Sequence, residues 1–217
     1  MKLNASDPPY WISTGDIDAP RRRLLASIAL LGVATLFSAG PVFAAGASAP
    51  PAMQEQAFWA LIEAAKRNAG NSTDARVSAL TLQLTKLDLK VIAGFQRQYD
   101  QLILRANKWS LWGGCSLMNG GCSDDSFRYF RDWLISEGRE TYDRALVDPD
   151  SLVDLPRREY FDLEAFGYAA MKVFKTKGGG ELERDFSGEL ATPAGTEWTE
   201  AELPKLFPKL AAKYSKK

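Results

Sequence analysis

The chain has 217 residues, of which 46% are hydrophobic and 25% charged, enough for one well-buried core. Its 27 Lys and Arg residues balance its 27 Asp and Glu residues, so we expect no nucleic-acid partner. The sequence contains no histidine, which excludes Ser-His-Asp and Cys-His nucleophilic sites and most zinc sites.

Residues 1–45 have the pattern of a secretory signal peptide. Arg21-Arg22-Arg23 precedes an apolar run over residues 24–37, and small residues follow. The run is shorter than the ~20 residues that a membrane span needs, so cleavage is favoured over an uncleaved anchor. We predict cleavage after Ala44 or Ala47 and a periplasmic or secreted protein that meets the membrane only through this segment.

The export route stays open between two alternatives. The arginines followed by Leu24-Leu25 resemble a twin-arginine signal. Pro20 and Ala26 depart from that pattern, and the same arginines can equally supply the positive charge of a general secretory signal.

Helical periodicity begins at Met53, after a linker of small residues at 46–52. Apolar residues recur every three to four positions in three successive helices. The first ends at Gly70, the second is capped by Ser72, and the third is capped by Asp88.

A fourth helix is predicted over residues 109–118. Gly113 and Gly114 cost it roughly 1 kcal/mol each unless they allow close packing. Asn119-Gly120-Gly121 ends this helix, and Ser123 caps a fifth that ends at Gly138.

Shorter helical pieces are predicted after Gly138. A helix over residues 141–146 is followed by one turn that starts at Asp148-Pro149, and a last long helix covers 159–175. No segment shows sustained strand alternation. The sequence therefore predicts an all-α fold, with a compact, short-looped multi-helix domain over residues 53–180.

The C-terminal extension, residues 181–217, is predicted to be irregular and to pack on this domain. Residues 185–193 have the composition of a loop, and Trp198 is a candidate contact with the helices. Pro204 and Pro208 limit the remainder to short helical pieces.

Several motifs in a fixed order resemble the bacterial domain of unknown function 4240, from about Met53 to Gly180. The motifs are Phe58-Trp59-Ala-Leu-Ile62, Leu111-Trp112, Gly121-Cys-Ser-Asp-Asp-Ser-Phe127, Phe130-Arg-Asp-Trp-Leu-Ile135, Gly138-Arg139, Pro149-Asp-Ser-Leu152 and Phe166-Gly-Tyr168. The resemblance implies a small helical domain without an established activity. In that family Cys122 belongs to the motif, whereas position 115 more typically holds a small or apolar residue.

Cys115 and Cys122 are the only two cysteines, and three interpretations remain open. Export and the intervening turn favour a disulfide, because the two helix ends can approach to the ~5.5 Å Cα separation that a bridge requires. Two buried, inert thiols or a redox-active pair are the alternatives. A metal held by these cysteines with Asp124 and Asp125 is disfavoured, and we predict no metal and no cofactor.

Charged residues near the start of the fifth helix form the predicted binding site. Asp124 and Asp125 can act as paired carboxylates, although acids in a first helical turn more often interact with free N–H groups and the helix dipole. The predicted site adds the basic residues Arg128, Arg131 and Arg139, which can pair with acids on the same surface or hold an anionic ligand. Tryptophans and tyrosines at helical spacing are interpreted as core in preference to a groove for sugar or peptide.

Two functions remain open. The favoured function is an exported, non-catalytic protein that binds an unknown protein or small ligand, because no catalytic set is recognisable in the sequence. The alternative is a cell-envelope enzyme that uses Asp124 and Asp125 with nearby arginines on a polar or anionic substrate.

Overall fold

The computed structural model describes residues 51–182 and 191–214. Within these ranges all the secondary-structure elements are helices. The signal-peptide prediction for residues 1–45 lies outside the described residues, as does most of the predicted loop 185–193. The α-helices are α1 (Glu55–Ala69), α2 (Thr73–Leu84), α3 (Leu89–Arg105), α4 (Trp109–Asn119), α5 (Asp124–Ser136), α6 (Arg139–Val147), α7 (Glu164–Gly167), α8 (Ala169–Thr176), α9 (Leu203–Leu206) and α10 (Pro208–Tyr214), and a 3-10 helix covers Pro149–Asp154. The all-α prediction is confirmed.

Most of the predicted helix boundaries are confirmed by their caps. Gly70 follows α1 with a φ of 58°, and Ser72 accepts a hydrogen bond from the Ala75 N–H at the start of α2. Asp88 occupies the N-cap position of α3, but its side chain makes no capping hydrogen bond. Ser123 accepts a hydrogen bond from the Ser126 N–H and caps α5.

Helix α5 lies at the centre of the molecule, with α1, α3, α4, α6 and α7 packed against it. All seven of its residues from Phe130 to Ser136 are buried. An aromatic core continues into α1 and α3, where the rings of Phe58 and Phe95 stack with centroids 4.7 Å apart. No helix in the described ranges is both long enough and apolar enough to span a bilayer.

The prediction of one long helix over residues 159–175 is wrong at its N-terminal end, and Tyr168 divides the remainder into α7 and α8. Residues 159–163 are not helical, because other elements take their backbone groups. The Phe161 N–H donates to Oδ1 of Asn119 at 2.9 Å, and Nδ2 of Asn119 donates to the Phe161 carbonyl at 3.3 Å. The Leu163 N–H likewise donates to the carbonyl of Tyr129 at 3.1 Å.

The C-terminal extension packs on α4 and the 3-10 helix, as predicted. The Trp198 indole donates to the carbonyl of Trp109 at 2.6 Å. The buried carboxylate of Asp150 accepts hydrogen bonds from the N–H groups of Lys209 and Leu210, at the start of α10. The first turn of α10 is thereby fixed to the 3-10 helix.

Candidate functional site

The five residues of the predicted binding site do not form one cluster. Asp124 and Asp125 are exposed in the first turn of α5, whereas Arg139 lies beyond its other end, and α5 itself is about 18 Å long. Arg139 instead pairs with Asp143 at 3.3 Å and with Glu55 at 3.9 Å.

The two remaining arginines of that prediction have different surroundings. Arg128 donates to the hydroxyl of Tyr168 at 3.2 Å, near the acidic end of α5. Arg131 is only 3% exposed, donates to the Ile103 carbonyl at 3.1 Å, and lies over the ring of Phe127. Arg131 is therefore part of the core, where a ligand outside the protein does not reach it.

Titrating groups also lie near the acidic end of α5. Burial, followed by a hydrogen bond with Glu164, raises the pKa of Tyr129 to about 12. Burial, followed by the charge of Glu164, raises the pKa of Asp162. Tyr129 and Asp162 carry no positive charge, so neither adds a cation to Asp124 and Asp125. In the described ranges no three Cys, Asp or Glu side chains lie close enough together to hold a metal ion.

Cys115 and Cys122 form a disulfide, with their Cα atoms 6.0 Å apart. The bridge closes the turn between α4 and α5, where Gly120 adopts the left-handed conformation at φ 71°. The indole N–H of Trp112 donates to the carbonyl oxygen of Cys122 at 2.7 Å. Because both sulfur atoms take part in the bridge, the structure agrees with the disulfide interpretation and not with two free thiols or two metal-bound thiolates.

Most of the aromatic side chains belong to the core, as predicted. Trp59, Tyr99, Trp133 and Tyr142 are buried. Trp109 and Trp112 are half-buried and stack on one another with centroids 5.3 Å apart, and Trp198 meets Trp109 edge-on.

A cavity of about 270 Å³ lies at the C-terminal end of α5, and we call it the α5 pocket. Its wall is mixed, with two apolar residues, one amide, one indole, one carboxylate and three guanidinium groups. The lining residues are Asn71, Arg76, Trp133, Glu137, Leu155, Pro156, Arg157 and Arg158.

A buried ion pair forms one side of the α5 pocket. Arg76, 2% exposed, donates from Nη1 to Oε1 of Glu137 at 2.7 Å and from Nε and Nη2 to the carbonyl of Gly70. Lys66 lies 3.5 Å from Oε2 of the same carboxylate and donates to its backbone carbonyl at 2.7 Å. Ser136 also accepts a hydrogen bond from Arg76. These contacts join α1, α2 and α5 through one carboxylate.

The opposite wall is the irregular segment 155–158. Leu155 is extended, at φ −74° and ψ 150°, because Pro156 disfavours a helical residue before it. Arg158 donates to the Asn71 carbonyl at 2.9 Å, and its Nη2 lies 4.0 Å from Oε1 of Glu137. Arg157 donates to the carbonyl of Lys213 in α10.

Helix α10 supports this wall. The ammonium group of Lys213 donates to the carbonyls of Val153 and Leu155, each at 2.6 Å. The guanidinium of Arg157 lies over the ring of Tyr214, 5.3 Å from its centroid. Burial raises the pKa of Tyr214, and the nearby Arg157 partly opposes this shift.

Trp133, which lines the α5 pocket, carries a buried donor without an acceptor. Trp133 is 1% exposed, and its indole N–H has no hydrogen-bond partner among the described residues. A buried, unpaired donor of this kind costs about 1–3 kcal/mol. The N–H has almost no accessible surface, so it belongs to the packed interior and is not a contact that the cavity offers to a ligand.

Sequence reasoning missed the α5 pocket, although one signal was present. Arg76 falls on the same helical face as Leu80 and Leu84, a position where an unpaired charge is costly. A charge at a core position predicts a buried partner. Its partner, Glu137, is 61 residues away along the chain, so the sequence does not reveal it.

The fold and the α5 pocket define a small all-α domain with a partly enclosed cavity, lined by three arginines, at the end of its central helix. The chain belongs to the family described as "Protein of unknown function (DUF4240)", whose model matches residues 53–176. This confirms the resemblance seen in the sequence. No curated protein and no solved structure matches the chain.

Proposed function

We propose that this protein is an exported, non-catalytic binding protein whose α5 pocket holds an anionic group of its ligand. The main support is the composition of the pocket wall, in which three arginines face one carboxylate. An anion gains from these cations, and guanidinium groups bind carboxylate and phosphate oxygens through paired N–H donors.

A binding role is favoured over an enzyme that uses Asp124 and Asp125. Both carboxylates are exposed, and neither lines the α5 pocket or the larger cavity beside Asp143 and Arg144. An acid/base pair works best where burial or a charged neighbour shifts its pKa.

Export is part of the proposal. It is supported by the signal-like pattern of residues 1–45 and by the disulfide, since disulfides persist mainly in oxidising compartments. Mass spectrometry of the mature protein should find a new N-terminus near Ala45 or Ser48. A mature pool that retains Met1 would contradict export.

Anion binding is tested by titrating the mature protein with inorganic phosphate, sulfate and acetate in a calorimeter. We expect at least one anion to bind, and we expect Arg158→Gln to weaken that binding by roughly tenfold, the loss of one charge-assisted contact.

Arg144→Gln is the matched control. Arg144 is an exposed arginine that pairs with Asp154 away from the α5 pocket, so its loss should leave anion affinity unchanged. Failure of all three anions to bind at millimolar concentration would overturn the proposal. An equal loss of affinity in both variants would do the same, because it would show a nonspecific charge effect.

A further inference from the structure

The charge balance of the α5 pocket indicates what kind of anion it holds. Arg76, Arg157 and Arg158 line it with one carboxylate, Glu137, and Lys66 adds a fourth cation 3.5 Å from that carboxylate. A single negative charge on the ligand would leave the wall strongly cationic. A ligand group with two negative charges balances it better, since each guanidinium makes its strongest hydrogen bonds to an ionised oxygen.

The hydrogen-bond donors around the α5 pocket also favour several ligand oxygens over one. Arg157 and Arg158 are adjacent on one wall, and each guanidinium carries several N–H donors. A tetrahedral phosphate has three terminal oxygens and can accept from both guanidinium groups at once. A planar carboxylate has two oxygens in one plane and suits a single guanidinium fork.

The volume limits the size of the bound group. About 270 Å³ corresponds to roughly nine waters at ~30 Å³ each, enough for a phosphate and a few carbon atoms. Leu155 and Pro156 contribute to an apolar part of the cavity surface that suits such a carbon stem.

We propose that the α5 pocket binds the dianion of a phosphate monoester, with Arg157 and Arg158 as its cationic contacts. This inference rests on the proposed anion-binding function and narrows its ligand class. Arg76 contributes charge more than contacts, because most of its N–H groups are bonded to Gly70, Ser136 and Glu137.

The test compares three probes of similar size on the mature protein: glycerol 3-phosphate, glycerol 3-sulfate and glycerate. The phosphate ester is a dianion above its second pKa of about 6, and the other two are monoanions. We expect the phosphate ester to bind at least tenfold more tightly than either monoanion at pH 7.5. Its affinity should fall as the pH is lowered through about 6, while the affinity of the sulfate ester stays constant.

The outcomes separate this inference from the proposed function. If the sulfate ester or glycerate binds as tightly as the phosphate ester, the dianion inference is wrong and anion binding stands. If none of the three probes binds, the proposed function itself fails.

Two variants locate the contacts. Arg157→Gln removes one cationic contact, and we expect roughly tenfold weaker binding of glycerol 3-phosphate. Arg158→Lys keeps the charge and loses the planar fork, so it should bind the phosphate ester more tightly than Arg158→Gln but less tightly than the unaltered protein. Unchanged affinity in both Arg157→Gln and Arg158→Gln would place the phosphate elsewhere and overturn the inference.

A soluble metabolite and a lipid headgroup can both carry a phosphate monoester. Vesicles that contain phosphatidic acid, compared with phosphatidylglycerol vesicles, whose phosphate is a monoanionic diester, distinguish the sources. Binding to phosphatidic acid that glycerol 3-phosphate displaces identifies a lipid source, and binding of glycerol 3-phosphate alone identifies a soluble one. Equal binding to both kinds of vesicle contradicts recognition of the dianion.

Discussion

The indole N–H of Trp112 donates a 2.7 Å hydrogen bond to the carbonyl oxygen of Cys122, whose sulfur is bonded to Cys115. A side chain on α4 and a covalent bridge from the same helix thus hold the same residue. The ring of Trp112 also stacks on Phe127 of α5, with centroids 4.8 Å apart. The junction between α4 and α5 therefore has three connections within a few residues.

Because the hydrogen bond and the bridge restrain one residue, their losses should not be additive. We expect Trp112→Phe and the double replacement Cys115→Ala/Cys122→Ala to show a coupling energy of about 0.5–3 kcal/mol in urea unfolding. Trp59→Phe, whose indole bonds to Glu55 in α1, is the matched control and should be additive with the cysteine replacement. Additivity in the Trp112 cycle would mean that the two restraints act independently.

Loss of the disulfide alone should lower the free energy of unfolding by about 2 kcal/mol. The bridge spans a sequence separation of only seven, and short loops gain the least from cross-linking. Comparison of the unaltered protein with and without reductant in urea measures this difference. The native protein should also weigh two hydrogens less than its reduced form. Ready alkylation of both cysteines without reductant would refute the bridge.

Gly113 lies where α4 meets the C-terminal extension, and a side chain there has no room. A Cβ atom would come within 2.7 Å of the Phe207 ring and 2.9 Å of Leu203. We expect Gly113→Ala to destabilise the protein by about 1–3 kcal/mol through overpacking. Gly114→Ala is the neighbouring control, because its Cβ would meet Pro149 at 3.3 Å and the helix gains from alanine. Thermal unfolding of both variants separates packing from helix propensity, and similar losses at the two positions would contradict this explanation.

Removal of the Glu137 carboxylate should be costly. Glu137→Gln leaves the buried guanidinium of Arg76 beside Lys66 and Arg158 without a negative charge. We expect the free energy of unfolding to fall by about 3–5 kcal/mol, as for a broken buried ion pair. Asp154→Asn removes the partner of Arg144 in an exposed pair and should cost less than about 1 kcal/mol. Equal effects of the two changes in urea unfolding would show that burial does not matter here.

Glu55 should make stability depend on pH in the acid range. A hydrogen bond from Arg105 is the main reason that the pKa of Glu55 lies below its usual value, and a hydrogen bond from the Trp59 indole adds to this shift. The folded protein then binds a proton less readily than the unfolded chain, so this contribution is present above the ordinary glutamate pKa and is lost as the pH falls through the folded value. The unfolding free energies of the unaltered protein and Glu55→Gln should differ most near pH 7 and converge as the pH falls below the ordinary glutamate pKa of about 4.3. A difference that stays constant across this range would contradict the assignment.

The helices from α1 to α6 could be predicted from sequence because local rules determine them. Apolar residues recur at helical spacing, and Gly70, Ser72 and Ser123 take the cap positions expected of them. Residues 159–163 could not be predicted, since their backbone bonds to Asn119 and Tyr129 on other elements. Local periodicity carries no information about such partners.

The candidate site was harder to predict than the fold. Charges close together in the sequence suggested a cluster along α5, yet Arg131 lies in the core and Arg139 beyond the far end of the helix. The α5 pocket instead joins Arg76, Trp133 and Arg158, which come from three distant stretches of chain. Only the packing of α2 and the segment 155–158 around the end of α5 brings them together.

Lys213 connects the part of the chain that matches the family with a part beyond it. The family match ends at residue 176, whereas the ammonium group that secures the carbonyls of Val153 and Leu155 comes from α10. The matched region supplies the segment 155–158 that forms one wall of the α5 pocket, and α10 holds that segment in position. A substitution in α10 that displaces Lys213 should therefore move the arginines of this wall while the helices of the matched region keep their packing.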